Sequence, residues 1–241
     1  MVWIMSLPSG FGEFWPDGEF EDGDKPQVIG WDGRLKDYIT ALPVDRQKEL
    51  MPVGDVTRYG YFVSLKYIRE VGTTVAPDLP PITPVMDQEA PRSFNASKSY
   101  KQLGDLIMLN DRILAVSEDM RAIIEALDGG AHQFFPIDIV MPRSIYPKTF
   151  FTFVVTNYRN SYIDINGVMP KLAPGERYNF SKVTKGDAVQ SHFQKVAFDG
   201  AHVWRERLFN EFIIMFSNEF VDCVQNAGLS MPKIYQAKEI V

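Results

Sequence analysis

Residues 113–127 read ILAVSEDMRAIIEAL, and residues 213–228 repeat the same pattern as IIMFSNEFVDCVQNAG. In each copy a short apolar run is followed by a serine, an acidic turn and apolar residues at helical spacing. Four apolar residues that end at a capping residue are typical of a buried strand. Ser117 and Ser217 stand where a helix begins, since a serine hydroxyl can accept a hydrogen bond from a free backbone amide. The pattern therefore predicts, twice, a buried strand that passes directly into a helix.

Both predicted helices carry the other signals of an amphipathic helix. Acidic residues in the first turn, Glu118 and Asp119 in one copy and Glu219 in the other, favour the positive end of the helix dipole. Gly129 and Gly228 follow at positions where a left-handed residue commonly ends a helix. The apolar positions lie three or four residues apart: Met120, Ile123, Ile124 and Leu127, then Phe220, Cys223, Val224 and Ala227. One face of each helix is therefore expected to pack on a sheet.

Other elements are predicted on both sides of the two units. The predicted strands are 132–140, 150–156 and 233–237. A short helix is predicted at 34–42, ended by Pro43. Residues 61–71 fit either a third strand–serine–helix unit around Ser64 or a plain strand, because the same residues also alternate.

Two dipeptides predict tight hairpin turns. Asn166-Gly167 would join 162–165 to the residues that follow, and Asp199-Gly200 would join 194–198 to 201–207. Many strands in hairpins with a few helices predict an α+β fold. We expect a mainly antiparallel sheet with a few packed helices, built around the two strand–serine–helix units.

A Pro-rich segment, residues 76–91, interrupts the patterned sequence with five prolines. Such a stretch excludes a regular helix or an inner strand. It predicts either an extended connector or a loop that lies along the surface. We expect an N-terminal region at 1–95 that includes this connector and an α+β domain at 96–241. The alternative is one compact domain overall.

Composition limits the classes of partner. The chain has 241 residues, a net charge of −6 and a pI near 5.2, which argues against nucleic acid as the main partner and permits a basic protein partner. No apolar run approaches the roughly 20 residues of a spanning helix, so no membrane partner is expected. Cys223 is the single cysteine, which fits a reducing compartment. The N-terminus lacks the features of a signal peptide, and we expect a cytoplasmic protein.

The sequence shows no set of residues that catalysis requires. The histidines His132, His192 and His202 have no His or Cys partner at a metal-ligand spacing, so neither a metal nor a cofactor is expected. No nucleophile elbow, phosphate-binding glycine loop or calcium loop is present. A hydrolase that uses His132, His202 and nearby carboxylates stays open as an alternative, because sites can assemble from distant residues.

Three stretches carry a resemblance to a known family. They are 114–127, the run HQFFPI at 132–137, and the run HVWRERL at 202–208 followed by 214–217 and a helix that ends at 227–229. Through them, residues 105–241 resemble a family of immunity proteins of bacterial polymorphic-toxin systems, the family numbered eleven. The resemblance implies an α+β protein that binds a cognate toxin encoded nearby, with no catalytic residues. An adaptor of a toxin secretion system is a further alternative.

Partner contacts are expected where aromatic residues lie among charges. The acidic and aromatic N-terminal stretch is the first candidate, and two arginines of the third stretch are the second. The candidate residues are Phe14, Trp15, Asp17, Glu19, Phe20, Glu21, Asp22, Asp24, Arg205 and Arg207. The alternative for the N-terminal stretch is a loop that folds onto its own core with its acids in water. Arg205 could instead pair with a carboxylate, beside a core Trp204.

Overall fold

The computed structural model describes residues 1–21, 30–52, 54–164, 176–178, 183–198, 200–210 and 213–240. The strands are β1 (Val2–Met5), β2 (Gly18–Phe20), β3 (Ser93–Ala96), β4 (Leu106–Met108), β5 (Leu114–Ser117), β6 (Gln133–Met141), β7 (Ser144–Ile145), β8 (Phe150–Val154), β9 (Tyr158–Arg159), β10 (Tyr162–Ile163), β11 (His192–Gln194), β12 (Val203–Glu206), β13 (Met215–Ser217) and β14 (Ile234–Ile240). The helices are α1 (Trp31–Ala41), α2 (Val44–Leu50), α3 (Tyr59–Ile68), α4 (Glu118–Asp128), α5 (Lys185–Gln190), α6 (Lys195–Phe198) and α7 (Asn218–Asn226).

The strands form two sheets. The first has the order β10-β11-β14-β1-β13-β12-β9, and the second has the order β2-β3-β6-β8-β5-β4 with β7 beside β6. Most neighbouring strands are antiparallel, while β11 with β14, β12 with β9 and β3 with β6 are parallel. The predicted α+β class is confirmed, and both sheets are mixed. Among the described residues, no helix combines the length and the apolar character that a membrane crossing requires.

Both strand–serine–helix units are present. Ser117 Oγ accepts a hydrogen bond from the amide of Met120 at 3.3 Å, and Ser217 Oγ accepts one from the amide of Phe220 at 3.0 Å. Each serine is therefore the N-cap of its helix, α4 or α7. The left-handed residue that follows α7 is Gly228, as predicted, with φ of +66°. After α4 it is Gly130, with φ of +73°, one residue later than expected.

The two units face each other across the centre of the molecule. Helices α4 and α7 pack together, and their apolar faces share one core cluster. That cluster includes Val116 and Phe153 from the second sheet and Val203 and Phe216 from the first. The helices thus lie between the two sheets and join them into a common core.

The N-terminal part of the chain belongs to both sheets. Strand β1 lies between β13 and β14, with Val2 opposite both Ser217 and Ala237. Helices α1 and α3 cover the other face of the second sheet, where Tyr67 packs in one cluster with Phe135. The division of the chain near residue 95 stays a prediction.

The Pro-rich segment has no regular secondary structure, as predicted. It lies along the protein, because Leu79, Ile82 and Val85 are buried against α1, α3 and the second sheet. A buried ion pair fixes its end: Lys66 Nζ of α3 lies 2.6 Å from Glu89 Oε1, and both side chains are 0% exposed. Glu89 also accepts hydrogen bonds from the Tyr59 hydroxyl and the Met86 amide.

Two predictions of local structure are wrong. Residues 59–68 form the single helix α3, with no strand, and Ser64 Oγ donates to the carbonyl of Tyr61 within that helix. Burial of α3 on nearly every side removes the helical period from its sequence. The predicted pairing of 194–198 with 201–207 is also wrong: residues 195–198 form α6, and β12 pairs with β13 and β9. Asp199 of the predicted turn lies outside the described residues, and Phe198 stacks on Trp204 with ring centres 4.9 Å apart.

The other predicted elements are present with small shifts of their ends. The helix at 34–42 is α1 and begins at Trp31, and the strand at 150–156 is β8. The strands at 132–140 and 233–237 are β6 and β14. The predicted turn at Asn166-Gly167 lies outside the described residues.

Candidate partner-binding surface

The N-terminal segment that was expected to contact a partner runs along the edge strand β4. The carbonyl of Glu13 accepts a hydrogen bond from the amide of Gly104 at 2.9 Å, and the carbonyl of Phe14 accepts one from the amide of Met108 at 2.9 Å. These bonds satisfy backbone groups that an edge strand would otherwise leave open. The segment is therefore a fixed part of the second sheet's border.

Three of the predicted contact residues are used by the fold itself. The Phe14 ring lies so close to Gly104 that a Cβ there would be 2.4 Å from it, which only glycine avoids. Phe20 packs against Trp31 with ring centres 5.0 Å apart. Glu21 is buried and accepts two hydrogen bonds of 2.9 Å from Arg34. These side chains point into the protein.

The remaining described members of the segment lie nearer the surface. The Trp15 ring is partly exposed and contacts the exposed ring of Phe11, with centres 4.7 Å apart. Glu19 is exposed and accepts a hydrogen bond from Asn110 Nδ2 at 2.9 Å. Asp17 is partly exposed and accepts a hydrogen bond of 2.6 Å from the Ser97 hydroxyl. Asp22 and Asp24 lie outside the described residues.

Trp15 and Glu19 line an open groove of about 960 Å³. Its lining comes from residues near the N-terminus, including Leu7 and Trp15, from α3, including Tyr61, and from residues 108–112. The buried apolar side chains of the groove are Leu65, Ile68, Met108 and Leu109. Tyr61 is 56% exposed, which leaves its ring free at the mouth. The groove thus combines an apolar floor with aromatic walls, as ligand- and partner-binding sites commonly do.

The rim of the groove carries charges of both signs. Glu19 and Asp111 are exposed acids, and Arg69 and Arg112 lie on the same rim. The surrounding protein raises the pKa of Asp111 above its ordinary value, and the negative charge of Asp32 adds to that effect. Asp32 does not line the groove, but its charge repels that of Asp111.

The turn between β4 and β5 places Asp111 and Arg112 on the rim. Both residues are left-handed, with φ of +52° and +60°. The amide of Ile113 donates to the carbonyl of Asn110 at 3.1 Å, which closes a turn with two positive φ angles at its centre. Such turns ordinarily use Asn-Gly, so a non-glycine pair holds local strain here.

Sequence reasoning predicted only Trp15 and Glu19 among the groove residues and missed the others, including Tyr61, Asp111 and Arg112. A signal for the turn existed, because two residues between two short apolar runs form a hairpin loop. The absence of glycine hid it. Tyr61 was missed since α3 was interpreted as a strand or a third unit.

The two arginines of β12 and its end are placed differently. Arg205 is 2% exposed, and its Nη2 lies 3.5 Å from the carbonyl of Tyr67. Arg207 is at the surface and binds Glu70 through two nitrogens, at 2.6 and 3.0 Å. The hydrogen bond with Glu70 raises the pKa of Arg207. Only Arg207 therefore presents its guanidinium at the surface.

The histidines considered for catalysis contact the buried carboxylate of Asp128, His132 through its ring and His202 through its backbone amide. The side chains of His132 and Asp128 are each 1% exposed, and His132 Nε2 lies 3.1 Å from Asp128 Oδ2. Asp128 also accepts hydrogen bonds from the amides of His202 and Val203, each at 2.8 Å. The His202 ring lies 3.0 Å from the capping hydroxyl of Ser217. This buried network links α4 to β12, and solvent does not reach its centre.

Within the described residues, no three His, Cys, Asp or Glu side chains are grouped so that they could hold a metal ion. Cys223 is half-buried on α7 and is a free thiol.

Comparison with known proteins gives one match. The model of the Immunity protein family (Imm11) matches residues 83–238. No curated protein matches the chain. The matched range covers more than half of the chain. It holds both strand–serine–helix units, most strands of both sheets and the turn at Asp111-Arg112. The chain therefore belongs to the Imm11 immunity protein family.

Proposed function

We propose that this protein protects its producer by binding a cognate toxin protein and blocking it stoichiometrically, without catalysis, in the cytoplasm. The observation that carries the proposal is the open groove with Trp15 and Tyr61 in its lining, on a chain of an immunity family. Concave sites lined by apolar and aromatic side chains with a few polar groups are where ligands and partners commonly bind.

The groove provides the centre of an interface. A stable protein complex buries roughly 800 Å² on each partner, and its energy is concentrated in a few central aromatic and arginine side chains. Trp15 and Tyr61 supply such aromatics in the groove lining, and Phe11 extends the surface beyond Trp15. Of the residues predicted from the sequence, we propose Trp15, Asp17 and Glu19 as contacts. Arg207 is a second, peripheral candidate.

The charge of the protein favours a basic partner. A net charge of −6 accelerates the encounter with a basic protein and makes the association rate fall as salt screens the attraction. The rate should fall at least tenfold between low and high salt if steering operates, on the order of the effect seen for steered complexes. An association rate that salt does not change would exclude a steering role for the charge.

The test is co-expression with the product of the adjacent open reading frame. We expect that product to stop growth alone, and we expect this protein to restore growth and to co-purify with it at a one-to-one ratio. Rescue without a complex would contradict the binding proposal and favour the alternative hydrolase. A complex without any toxicity to rescue would indicate an adaptor.

Titration separates stoichiometric block from catalysis. Toxin activity should fall linearly with added protein and reach zero at one equivalent. A small fraction of an equivalent that removes all activity with time would show turnover instead. A variant of Val44 serves as the control and should titrate like the wild type, because Val44 is exposed on α2 and does not line the groove.

A further inference from the structure

We infer that the groove receives one protruding segment of the toxin, which places a large apolar or aromatic side chain on the floor and an adjacent lysine or arginine against the acids of the rim. The inference rests on the proposed function, which it deepens by naming the chemistry that is recognised. It commits to a protein segment as the occupant.

The size of the groove fits a segment better than a single side chain. Pockets that enclose small ligands span about 300–1,000 Å³, and this groove of about 960 Å³ is at the upper end. It is open to solvent, and its lining includes both Trp15 and Tyr61. Several consecutive residues of a loop or an extended strand fill such a space, and a flat surface could not reach the floor at Leu65 and Leu109.

The apolar floor selects the central side chain. Leu65, Ile68, Met108 and Leu109 line the groove and are buried members of the protein's core. An apolar side chain placed there removes mainly its own surface from water, at about 25 cal/mol for each Å². A polar side chain would lose its hydration without finding a partner on this floor.

The rim selects the neighbouring charge. Glu19 and Asp111 are the acids of the rim, and the charge of Asp32, which does not line the groove, repels that of Asp111. A cation from the toxin that approaches these acids relieves the repulsion and gains attraction from each of them. An acidic segment would add to the repulsion. Arg69 and Arg112 interact within the protein and also lie on the rim, so the acids define one part of the mouth and not all of it.

The strained turn supports the same interpretation. Asp111 and Arg112 occupy left-handed positions that glycine or asparagine would fill at lower conformational energy. Strain of this kind persists where a side chain is needed for a function. Here the turn holds an acid and a base at the mouth of the groove, where a partner would meet them first.

Crosslinking to the toxin tests the position of the groove. We would place the photo-crosslinker p-benzoylphenylalanine at position 61 in one variant and at position 145 in a matched control. Tyr61 and Ile145 are 56% and 58% exposed, so solvent access is equal. Ile145 lies on β7 beside Val140, toward the end of the second sheet where Ser117 pairs with Phe150, opposite to the Asp111-Arg112 turn.

With the co-expressed product of the adjacent gene, we expect a crosslink from position 61 and little from position 145. The crosslinked toxin peptide should contain a lysine or arginine within two residues of a large apolar side chain. A crosslink from position 145 alone, or a peptide at position 61 that is acidic, would overturn the inference. Either result would leave toxin binding itself intact, as co-purification reports.

A peptide pair tests the groove without the toxin. Acetyl-Gly-Lys-Trp-Lys-Gly-amide and the same peptide with two glutamates are titrated into the ¹⁵N-labelled protein. We expect the basic peptide to shift the amide signals of Leu109 to Ile113 and to bind about tenfold more tightly than the acidic one, since two cations each gain up to about 1 kcal/mol. Equal binding of the two, or binding of neither, overturns the inference. If the basic peptide binds more tightly but the co-expressed pair neither restores growth nor co-purifies, the proposed function is wrong. The preference of the groove for a basic segment then stands.

Discussion

The carboxylate of Asp128, at the end of α4, accepts a hydrogen bond of 2.8 Å from the backbone amide of Val203, at the start of β12. Its other oxygen accepts from the amide of His202, also at 2.8 Å. The helix of the first strand–serine–helix unit thereby holds the strand that precedes the second unit. His132 completes the carboxylate's hydrogen bonds. We expect this carboxylate to be the principal polar connection between the two sheets.

Replacement of Asp128 by alanine should lower the free energy of unfolding by about 3 kcal/mol. The loss leaves two buried amides and His132 without their acceptor, and each unsatisfied group costs about 1–3 kcal/mol before relaxation. Urea unfolding followed by circular dichroism measures the change. Glu125→Ala on the exposed face of the same helix is the control and should change stability by less than about 0.5 kcal/mol. Equal effects of the two variants would contradict the role of Asp128.

Stability should fall in acid because of two carboxylates. Burial alone would raise the pKa of Asp128, but hydrogen bonds from His132 and from the amides of His202 and Val203 bring it below its ordinary value of 3.8. Asp105 is lowered likewise, because bonds from Ser230 and Lys148 outweigh its burial. A lowered pKa gives stability that is complete above the ordinary value and is lost as pH falls through the lower folded value. Urea midpoints should therefore drop below about pH 4.

The Asp128→Asn variant provides the comparison for the pH dependence. It cannot take up a proton at this site, so its stability should decline less steeply than that of the wild type over the same acid range. Parallel curves for the two proteins would show that Asp128 does not titrate with a lowered pKa.

The buried pair of Lys66 and Glu89 should show strong coupling. Burial lowers the pKa of Lys66, and Glu89 favours its charged form. Lys66→Met leaves a buried carboxylate without its cation, and we expect a loss of about 3–5 kcal/mol. Lys66→Met combined with Glu89→Gln should cost clearly less than the sum of the single variants, since neither charge is then left alone. The exposed pair Arg46–Glu49 is the control, with coupling below about 1 kcal/mol.

Asp111→Asn should change stability and binding in opposite directions. Asparagine tolerates the left-handed conformation and removes the repulsion with Asp32, so unfolding should become harder by a few tenths of a kcal/mol. The same change removes an acid from the rim and should weaken the toxin complex several-fold. Thermal unfolding and a binding titration give the two numbers. A variant that is less stable than the wild type and binds the toxin as tightly as the wild type would contradict the strained-turn interpretation.

The N-terminal region should be required for folding of the rest. A fragment of residues 96–241 lacks β1, the strand between β13 and β14, and also the helices that cover the second sheet. We expect it to be unfolded by circular dichroism and nuclear magnetic resonance. In the full chain, Val2→Asp should destabilise by more than about 3 kcal/mol and Val44→Asp by less than about 0.5, because only Val2 is buried. A folded fragment would support the boundary near residue 95.

Local signals in the sequence predicted the two units because their determinants are local. Ser117 and Ser217 reach amides three residues away, and the apolar positions of α4 and α7 follow the period of a helix. Asp128 could not be interpreted in the same way. Its role depends on amides 74 and 75 residues further along the chain, and nothing near it in sequence indicates them.

The groove was partly predictable. Trp15 and Glu19 were chosen because an aromatic among acids resembles an interface centre, and both line the groove. Phe14 and Phe20 have the same local surroundings, yet they point inward because Gly104 and Trp31 receive them. The direction of these side chains depends on partners that are distant in sequence. Tyr61 was missed for a different reason: burial around α3 removed its helical pattern.

Strand β1 pairs with two strands that lie more than 200 residues further along the chain. The centre of the first sheet therefore cannot form until β13 and β14 have left the ribosome. Contacts across more than 200 residues also slow folding, because a long loop must close first. A newly made molecule therefore passes through a period in which its first sheet is not yet formed. If the protein blocks a toxin as proposed, a producing cell needs a stock of folded protein before the toxin appears.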